Sequence, residues 1–168
     1  DYRRGELTLH KKYDEATAIL AGDALISLAF ELISGDEALS AGSRLQLINN
    51  LAVYSGGNGM VGGQILDLGL KPAEASIESI REMQQMKTGD LFCFAFTAGP
   101  IIAGYGSDDQ DKLFEFGKLF GLVFQISDDL IDVESTLAEA GKYVNKDQNM
   151  DKATYVDHYG IKKAKKLM

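Results

Sequence analysis

Hydrophobic residues recur along most of the chain at the roughly 3.6-residue spacing of an amphipathic α-helix. The clearest pattern predicts a helix from Tyr13 to Ile33, and a second pattern predicts a helix from Glu37 to Tyr54. The predicted core stripe of the first helix is Ile19, Leu20, Ala24 and Leu28. The residues of the second helix expected to face inward are Leu39, Leu47, Ile48 and Leu51. Strand-like alternation is weak, so the pattern predicts an all-α fold.

Glycine and proline divide the remainder of the chain. Gly56–Gly59 is predicted to be a loop, and Pro72 is expected in the first turn of a helix. Lys87–Gly89 is expected to interrupt the helical pattern, and Pro100 is expected to kink the helix that contains it. The predicted helices are Met60–Leu70, Ala73–Met86, Asp90–Ala103, Gln110–Ala138 (capped by Ser107 or Asp108) and Asp151–Lys166. Without a repeat or low-complexity linker, residues 1–168 are predicted to form a single domain.

Composition narrows the possible function. The chain has 168 residues, 45% of them hydrophobic and 25% charged, which is typical of a soluble globular protein. Its formal net charge of -8 argues against a nucleic-acid partner, because the phosphate backbone would be repelled. Cys93 is the single cysteine, which excludes an internal disulfide and, with two histidines, a zinc cluster. We therefore expect a reducing compartment, the cytoplasm.

The sequence also allows expectations about membrane insertion and targeting. Lys, Asp or Glu interrupts every stretch of about 18 apolar residues, so no membrane span is expected. The chain begins DYRRGELTLHKK without an initiator Met or a signal-peptide pattern, and is interpreted as an internal part of a longer protein.

The segment FGLVFQISDDLIDVE, Phe120–Glu134, places an acidic face on a predicted helix that is otherwise apolar. Gln125, Asp128, Asp129 and Asp132 are spaced i, i+3, i+4 and i+7, which aligns them on one side. Carboxylates beside so much apolar surface lose hydration and need a compensating cation. Mg²⁺ suits them because it prefers oxygen ligands and shares them with phosphates. The alternative, a solvated acidic face, is disfavoured by the surrounding Phe and Ile residues.

A metal that bridges carboxylates and phosphates predicts cationic side chains nearby. Each candidate alone is weak evidence for such a site, because single lysines and arginines usually face solvent. The acidic face is expected to line a cavity, and a loop after the acidic helix could bring Lys142 and Lys152 back over the mouth of this cavity. The candidate cations are Arg3, Arg4, Lys87, Lys142 and Lys152.

Several segments together resemble one known family. They are DYRRG with His10, EATAILAGDAL, GMVGGQILDL, KTGDL, FQISDDLID and GKYVNKDQNMDKATY, in the order in which the family has them. The chain resembles the trans-isoprenyl diphosphate synthases, which include farnesyl and geranylgeranyl diphosphate synthases. The resemblance implies an antiparallel helical bundle of the isoprenoid-synthase type, in which two Asp-rich motifs hold Mg²⁺ on an allylic diphosphate. It also implies a homodimer.

The resemblance assigns roles to individual residues. The second Asp-rich motif would be Asp128, Asp129 and Asp132, with Asp128 in direct contact with the metal. The allylic diphosphate would bind Arg3, Lys87, Lys142 and Lys152, and isopentenyl diphosphate would bind Arg4. Thr88 and Gln125 would lie near the reacting carbons. Catalysis is therefore expected to depend on Lys87, Thr88, Gln125 and Asp128.

The family's first Asp-rich motif is absent from this sequence, which resembles the part of a synthase that follows it. We therefore expect the chain to be an incomplete part of a larger domain and inactive alone. Two alternatives are a class I terpene cyclase and a non-catalytic partner subunit. A class I terpene cyclase shares the metal chemistry, but its second metal motif has wider spacing than DDLID. A partner subunit would keep the fold and modulate an active synthase, and it would not require Asp128, Lys87 and Lys152.

Overall fold

The computed structural model describes residues 2–71, 74–134 and 154–167, and it is almost entirely helical. Two short strands, β1 (Tyr2–Arg3) and β2 (Glu6–Leu7), precede the helices. The helices are α1 (Leu9–Lys12), α2 (Glu15–Gly35), α3 (Ala41–Ser55), α4 (Met60–Gly69), α5 (Ile77–Gln84), α6 (Asp90–Ala103), α7 (Ser107–Glu134), α8 (Tyr155–Tyr159) and α9 (Ile161–Leu167). A π-helical turn, Gln85–Gly89, joins α5 to α6.

Polar side chains fix the starts of several helices. The carboxylate of Asp14 accepts a hydrogen bond from the backbone N–H of Thr17 at 2.8 Å, at the start of α2. At the start of α8, Thr154 and Asp157 form a reciprocal capping box. Each cap pairs backbone donors that the first helical turn leaves unpaired, which stabilises a helix by about 1 kcal/mol. These starts are therefore encoded locally.

The two strands form an antiparallel hairpin in which Tyr2 is opposite Leu7 and Arg3 is opposite Glu6. Its turn places Arg4 at φ 54° and Gly5 at φ 80°. Two successive positive φ values fit the right-handed twist of a tight hairpin, and Gly5 adopts its value without steric strain. The hairpin was not predicted from the sequence.

The main helical contact is between α6 and α7. A Cβ on Gly117 would lie 2.8 Å from the Cα of Cys93, and a Cβ on Gly121 would lie 2.7 Å from the Cα of Gly89. The two glycines of α7 therefore let the α6 backbone approach closely. Further along α7, apolar side chains pack against α5, α8 and α9. This core cluster comprises Ile80, Ile126, Leu130, Tyr155, Val156 and Ala164.

The all-α prediction is confirmed, and the boundaries differ in informative places. Helix α6 has the predicted bounds, whereas α5 begins at Ile77 because Ser76 caps it. The expected break at Lys87–Gly89 is a π-helical turn, and α7 begins at Ser107, three residues earlier than predicted. The predicted last helix is divided at Gly160, whose φ is 73°. Pro72 and the predicted start at Asp151 lie outside the described residues.

The predicted core stripe of α2 is wrong. Ile19 and Leu20 are each 65% exposed, Leu28 is 43% exposed, and none of the residues of α2 is buried. The reason is that no described element covers this face of the helix. The prediction for the second helix was better. In α3, Leu47 and Leu51 are buried and Ile48 is half-buried, and Leu39, which precedes α3, is also half-buried.

Helix α2 is long and apolar enough to cross a membrane by length and composition alone, since it has 21 residues and contains an 18-residue stretch with a mean hydropathy of 1.8. It is the single such helix in the described part of the chain. Asp23 and Glu31 interrupt its apolar sequence, which is the kind of interruption on which the predicted absence of a membrane span was based. One helix of this kind is weak evidence for a span, because core helices of soluble proteins have similar compositions. The absence of a span stays a prediction.

Candidate active site

A cavity of about 510 Å³ opens where the π-helical turn, the first turns of α6 and the second half of α7 meet. Arg3 from the hairpin and Thr154 from the start of α8 complete its wall. More than half of the lining residues are polar or charged. These residues are Arg3, Asp67, Gln84, Lys87, Thr88, Gln125, Asp128, Asp129 and Thr154.

The apolar residues of the cavity lining are Leu91, Phe92, Ala95 and Phe124. Phe92 and Phe124 contact each other with ring centroids 5.1 Å apart, so the wall joins α6 to α7. The cavity therefore offers both charged and apolar surface to a ligand.

Lys87 is positioned by the π-helical turn and by an ion pair. Its Nζ lies 2.8 Å from Oδ2 of Asp67, and the two side chains are 24% and 10% exposed respectively. Gly63 permits this approach of α4, because a Cβ there would overlap the backbone nitrogen of Lys87. An ammonium has three donors, so one bond to Asp67 leaves capacity for a second anion in the cavity.

A chain of hydrogen bonds connects the π-helical turn, α7 and α8. Thr88 Oγ1 donates to Oε1 of Gln125 at 3.3 Å, and Gln125 Nε2 donates to Oδ1 of Asp129 at 2.8 Å. The backbone N–H of Tyr155 donates to Oδ2 of Asp129 at 3.0 Å. Both oxygens of the buried Asp129 carboxylate are therefore engaged by protein donors.

The three aspartates predicted to bind metal occupy different environments. Asp128 is half-buried and lines the cavity, whereas Asp129 is 2% exposed and lies in the hydrogen-bond chain. Asp132 is 4% exposed and is not part of the cavity lining. Within the described ranges, no three carboxylate, thiol or imidazole groups converge as a metal site. The donor chemistry nevertheless suits Mg²⁺ at Asp128, where the oxygens of a diphosphate would complete an octahedron.

Four of the remaining predicted binding and catalytic residues line the same cavity. They are Lys87, Thr88, Gln125 and Arg3. Arg4 lies in the exposed hairpin turn, outside the cavity lining. The substrate-binding assignments of Lys142 and Lys152 fall on residues outside the described ranges.

Gln84, Thr154 and Asp67 line the cavity but were not among the site residues predicted from the sequence. A pattern pointing to Asp67 was present, because GGQILDL places its carboxylate on the helix that carries the close-packing glycines. Gln84 is 8% exposed, and its Oε1 has no hydrogen-bond partner among the described residues. Nothing in its sequence context distinguishes it from the neighbouring Gln85.

Burial raises the pKa values of four groups, Asp90, Cys93, Tyr155 and Tyr54. Desolvation raises the pKa of Asp90, although a hydrogen bond from Gln85 opposes this shift. Desolvation likewise raises the pKa of Cys93 to about 11 and that of Tyr155 to about 12. In each case the apolar surroundings favour the neutral form. These groups belong to the packing that supports the cavity.

Known proteins similar to this chain include farnesyl diphosphate synthases. The chain is 44% identical over 168 residues to the farnesyl diphosphate synthase of Micrococcus luteus, and 38% identical over 167 residues to that of Bacillus subtilis. These matches cover 100% and 98% of this chain, and 57% and 56% of the two relatives. The chain therefore spans little more than half the length of these curated relatives.

A solved structure of similar fold is a geranyltransferase from Helicobacter pylori complexed with magnesium and isoprenyl diphosphate. The TM-score is 0.89 at 34% sequence identity, and the match covers 98% of this chain and 54% of that one. This likeness confirms the helical fold implied by the resemblance. The polyprenyl synthetase family model matches residues 1–167. The chain belongs to the polyprenyl synthetase family.

Proposed function

We propose that this chain is the part of a trans-isoprenyl diphosphate synthase that carries the second Asp-rich motif. The enzyme would join an allylic diphosphate to isopentenyl diphosphate. The observation that carries the proposal is one cavity lined both by the charged residues Lys87, Arg3 and Asp128 and by the aromatic residues Phe92 and Phe124. A prenyl diphosphate likewise combines a charged head with a hydrocarbon tail. The relatives support this function over a terpene cyclase or a non-catalytic subunit.

The reaction would begin with cleavage of the allylic C–O bond, in which the bonding electron pair leaves with the diphosphate. Lys87 and Arg3 are suited to bind that diphosphate and to stabilise the negative charge as it develops. The allylic cation would then accept the π electrons of isopentenyl diphosphate to form the new C–C bond. Loss of a proton from the condensed cation would complete the reaction.

Uncharged residues of the cavity would protect and orient the cation. The carbonyl oxygen of Gln125 and the hydroxyl of Thr88 lie beside the apolar wall, where partial negative charge favours a nearby carbocation. Leu91, Phe92 and Phe124 would exclude water, which would otherwise capture the cation as an alcohol. Lys142 and Lys152 stay predicted ligands of the allylic diphosphate, and Arg4 stays a predicted ligand of isopentenyl diphosphate.

Magnesium fits the charged residues of the cavity, and when bound it would neutralise diphosphate charge and favour departure of the leaving group. Asp128 would hold it directly. Asp129 and Asp132 stay predicted metal-site residues, with contributions through neighbouring groups. A geranyltransferase of similar fold is complexed with magnesium, which supports the same preference here.

We further propose a homodimer in the cytoplasm, with neither a nucleic-acid partner nor a membrane span. The exposed apolar face of α2 supports association, since Ile19 and Leu20 are largely uncovered in one copy. The net charge of -8 supports the absence of a nucleic-acid partner. The single cysteine supports a reducing compartment. Light scattering at micromolar concentration would test the dimer.

The decisive experiment substitutes Asp128 in the full-length enzyme. Asp128→Asn keeps the size of the side chain and removes the charge that would hold the metal. We expect kcat for condensation to fall by about 10²–10³-fold, and the Mg²⁺-dependent binding of a non-hydrolysable diphosphate analogue to be lost in calorimetry. Circular dichroism should show an unchanged helical fold. Equal metal-dependent binding by both proteins would refute this assignment of Asp128.

A further inference from the structure

The carboxylate of Asp129 faces two donors from different parts of the fold. Gln125 Nε2 approaches Oδ1 at 2.8 Å, and the backbone N–H of Tyr155 approaches Oδ2 at 3.0 Å. A carboxylate accepts hydrogen bonds and donates none. The amide group that faces Oδ1 must therefore be the NH₂ of Gln125, which leaves its carbonyl oxygen directed toward Thr88 and the cavity.

We propose that Asp129 is a positioning residue that orients the Gln125 carboxamide so that its oxygen, rather than its NH₂, faces the reaction cavity. The proposal rests on the proposed function only for its kinetic consequence. Asp129 is 2% exposed, its Oδ1 accepts from Gln125 and its Oδ2 accepts from Tyr155, so its carboxylate can act on the cavity through the orientation of Gln125. Asp128 and Asp129, although adjacent in sequence, therefore have different tasks.

The same carboxylate attaches α8 to the cavity. Tyr155 is 2% exposed within the core cluster, and the preceding Thr154 lines the cavity and caps the helix. Asp129 thus connects the wall formed by Thr154 to the orientation of Gln125. A substitution that preserved only one of these two connections would separate their effects.

Asp129→Asn makes that separation. The asparagine Oδ1 can still accept from Tyr155, but its NH₂ now faces Gln125. Two NH₂ groups cannot pair, so the Gln125 carboxamide rotates and presents its NH₂ to Thr88 and the cavity. The partial charge near the reacting carbons is reversed, while α8 stays attached. The substitution therefore reverses one dipole and leaves the surrounding packing in place.

The exchanged pair Gln125→Glu with Asp129→Asn reverses the direction of the hydrogen bond. The asparagine NH₂ would donate to the glutamate at position 125, and its Oδ1 would accept from Tyr155. The second glutamate oxygen would again face Thr88 as an acceptor. The total charge is unchanged, and the cavity recovers an oxygen in the original position. Gln125→Glu alone would place two carboxylates together and serves as the mismatched control.

The test uses the full-length protein, labelled with ¹⁵N at glutamine. The Gln125 side-chain NH₂ signal is assigned by its loss in Gln125→Glu. In Asp129→Asn we expect this signal to move and to gain an NOE to the Thr88 methyl group. Asp157→Ala, which removes half of the α8 capping box, should leave the signal in place. An unmoved signal in Asp129→Asn would overturn the proposed orientation whether or not the protein condenses prenyl diphosphates.

Kinetics then separate positioning from metal binding. For Asp129→Asn we expect kcat to fall about 10–100-fold, with KM for both diphosphates and the half-saturating Mg²⁺ concentration unchanged within about threefold. The exchanged pair should recover at least about tenfold in kcat relative to Asp129→Asn. A raised Mg²⁺ requirement without recovery in the exchanged pair would instead make Asp129 a metal ligand, and the proposal would be wrong.

Discussion

Helices α2 and α6 have similarly apolar sequences but occupy different environments. Helix α2 has no buried residue, whereas α6 buries residues along its length. Its buried residues are Asp90, Cys93, Thr97, Pro100 and Ile101. The difference shows that the apolar composition of a helix indicates how much apolar surface it carries. It does not indicate which neighbouring element buries that surface.

Small residues on the neighbouring helix decide where the close contact forms. Gly117 and Gly121 of α7 bring the α6 backbone within the range at which a Cβ would collide. By contrast, a Cβ on Gly22 of α2 would have no neighbouring atom within 4 Å. Glycine in α7 therefore serves packing, whereas in α2 it only weakens helix propensity as far as the described residues show. Three predictions test this contrast.

The largest effect is expected for Gly117→Leu. The new side chain would collide with the backbone at Cys93 and force α6 away from α7, so the free energy of unfolding should fall by about 3 kcal/mol or more. Urea denaturation measures the change, and Gly22→Leu in α2 is the matched control. Equal losses from both substitutions would show that the two helices are packed alike.

A smaller effect is expected from the thiol between α6 and α7. Burial raises the pKa of Cys93 from 9.0 to about 11, so the folded state keeps the thiol neutral at pH values where the unfolded chain ionises. The resulting stabilisation is complete below pH 9 and is lost as the pH rises toward 11. Between pH 8 and 10.5 this group should lower the free energy of unfolding by about 2 kcal/mol.

Cys93→Ala isolates that contribution, because Tyr155, whose pKa is also raised, titrates in both proteins. Urea midpoints measured across this pH range should fall less steeply in the variant. Parallel pH profiles would contradict the burial of an ionisable thiol at the α6–α7 contact.

The smallest effect is expected for Gly22→Ala. Alanine has the higher helix propensity and finds open space, so the substitution should stabilise the protein by about 0.5–1 kcal/mol. Thermal unfolding is the measurement. A loss of stability would mean that another surface approaches α2 closely at Gly22, which would make α2 resemble α6 after all.

Much of the fold followed from local patterns. The break expected at Lys87–Gly89 and the apolar segment after it predicted α6 to the residue, and the glycine cluster predicted the loop before α4. The hairpin was missed because its strands have two residues each, too few to show alternation. The exposure of α2 could not be predicted, because burial depends on which distant elements pack on a helix and periodicity describes only the helix itself.

Residues of the candidate site could be predicted where polar or charged side chains occur at a regular spacing or within a recognisable motif. The acidic face of α7 and the KTG segment both identified cavity residues, and Lys87, Thr88, Gln125 and Asp128 do meet. The division of labour between Asp128 and Asp129 could not be predicted. It depends on the backbone N–H of Tyr155, which is 26 residues away in sequence. The ion pair between Lys87 and Asp67 is likewise a tertiary contact.

The π-helical turn at Gln85–Gly89 has a consequence for the angular phase of the helices around it. A π turn accommodates about one residue more than an α turn, and each residue of an α-helix advances the side-chain direction by about 100°. The extra residue therefore rotates the side-chain directions of α6 by about 100° relative to those of α5. Ile80 can face the core cluster while Leu91 and Phe92 face the cavity. Deleting one residue of the turn would be expected to turn the cavity-lining side chains of α6 away from the cavity while α5 keeps its contacts with the core.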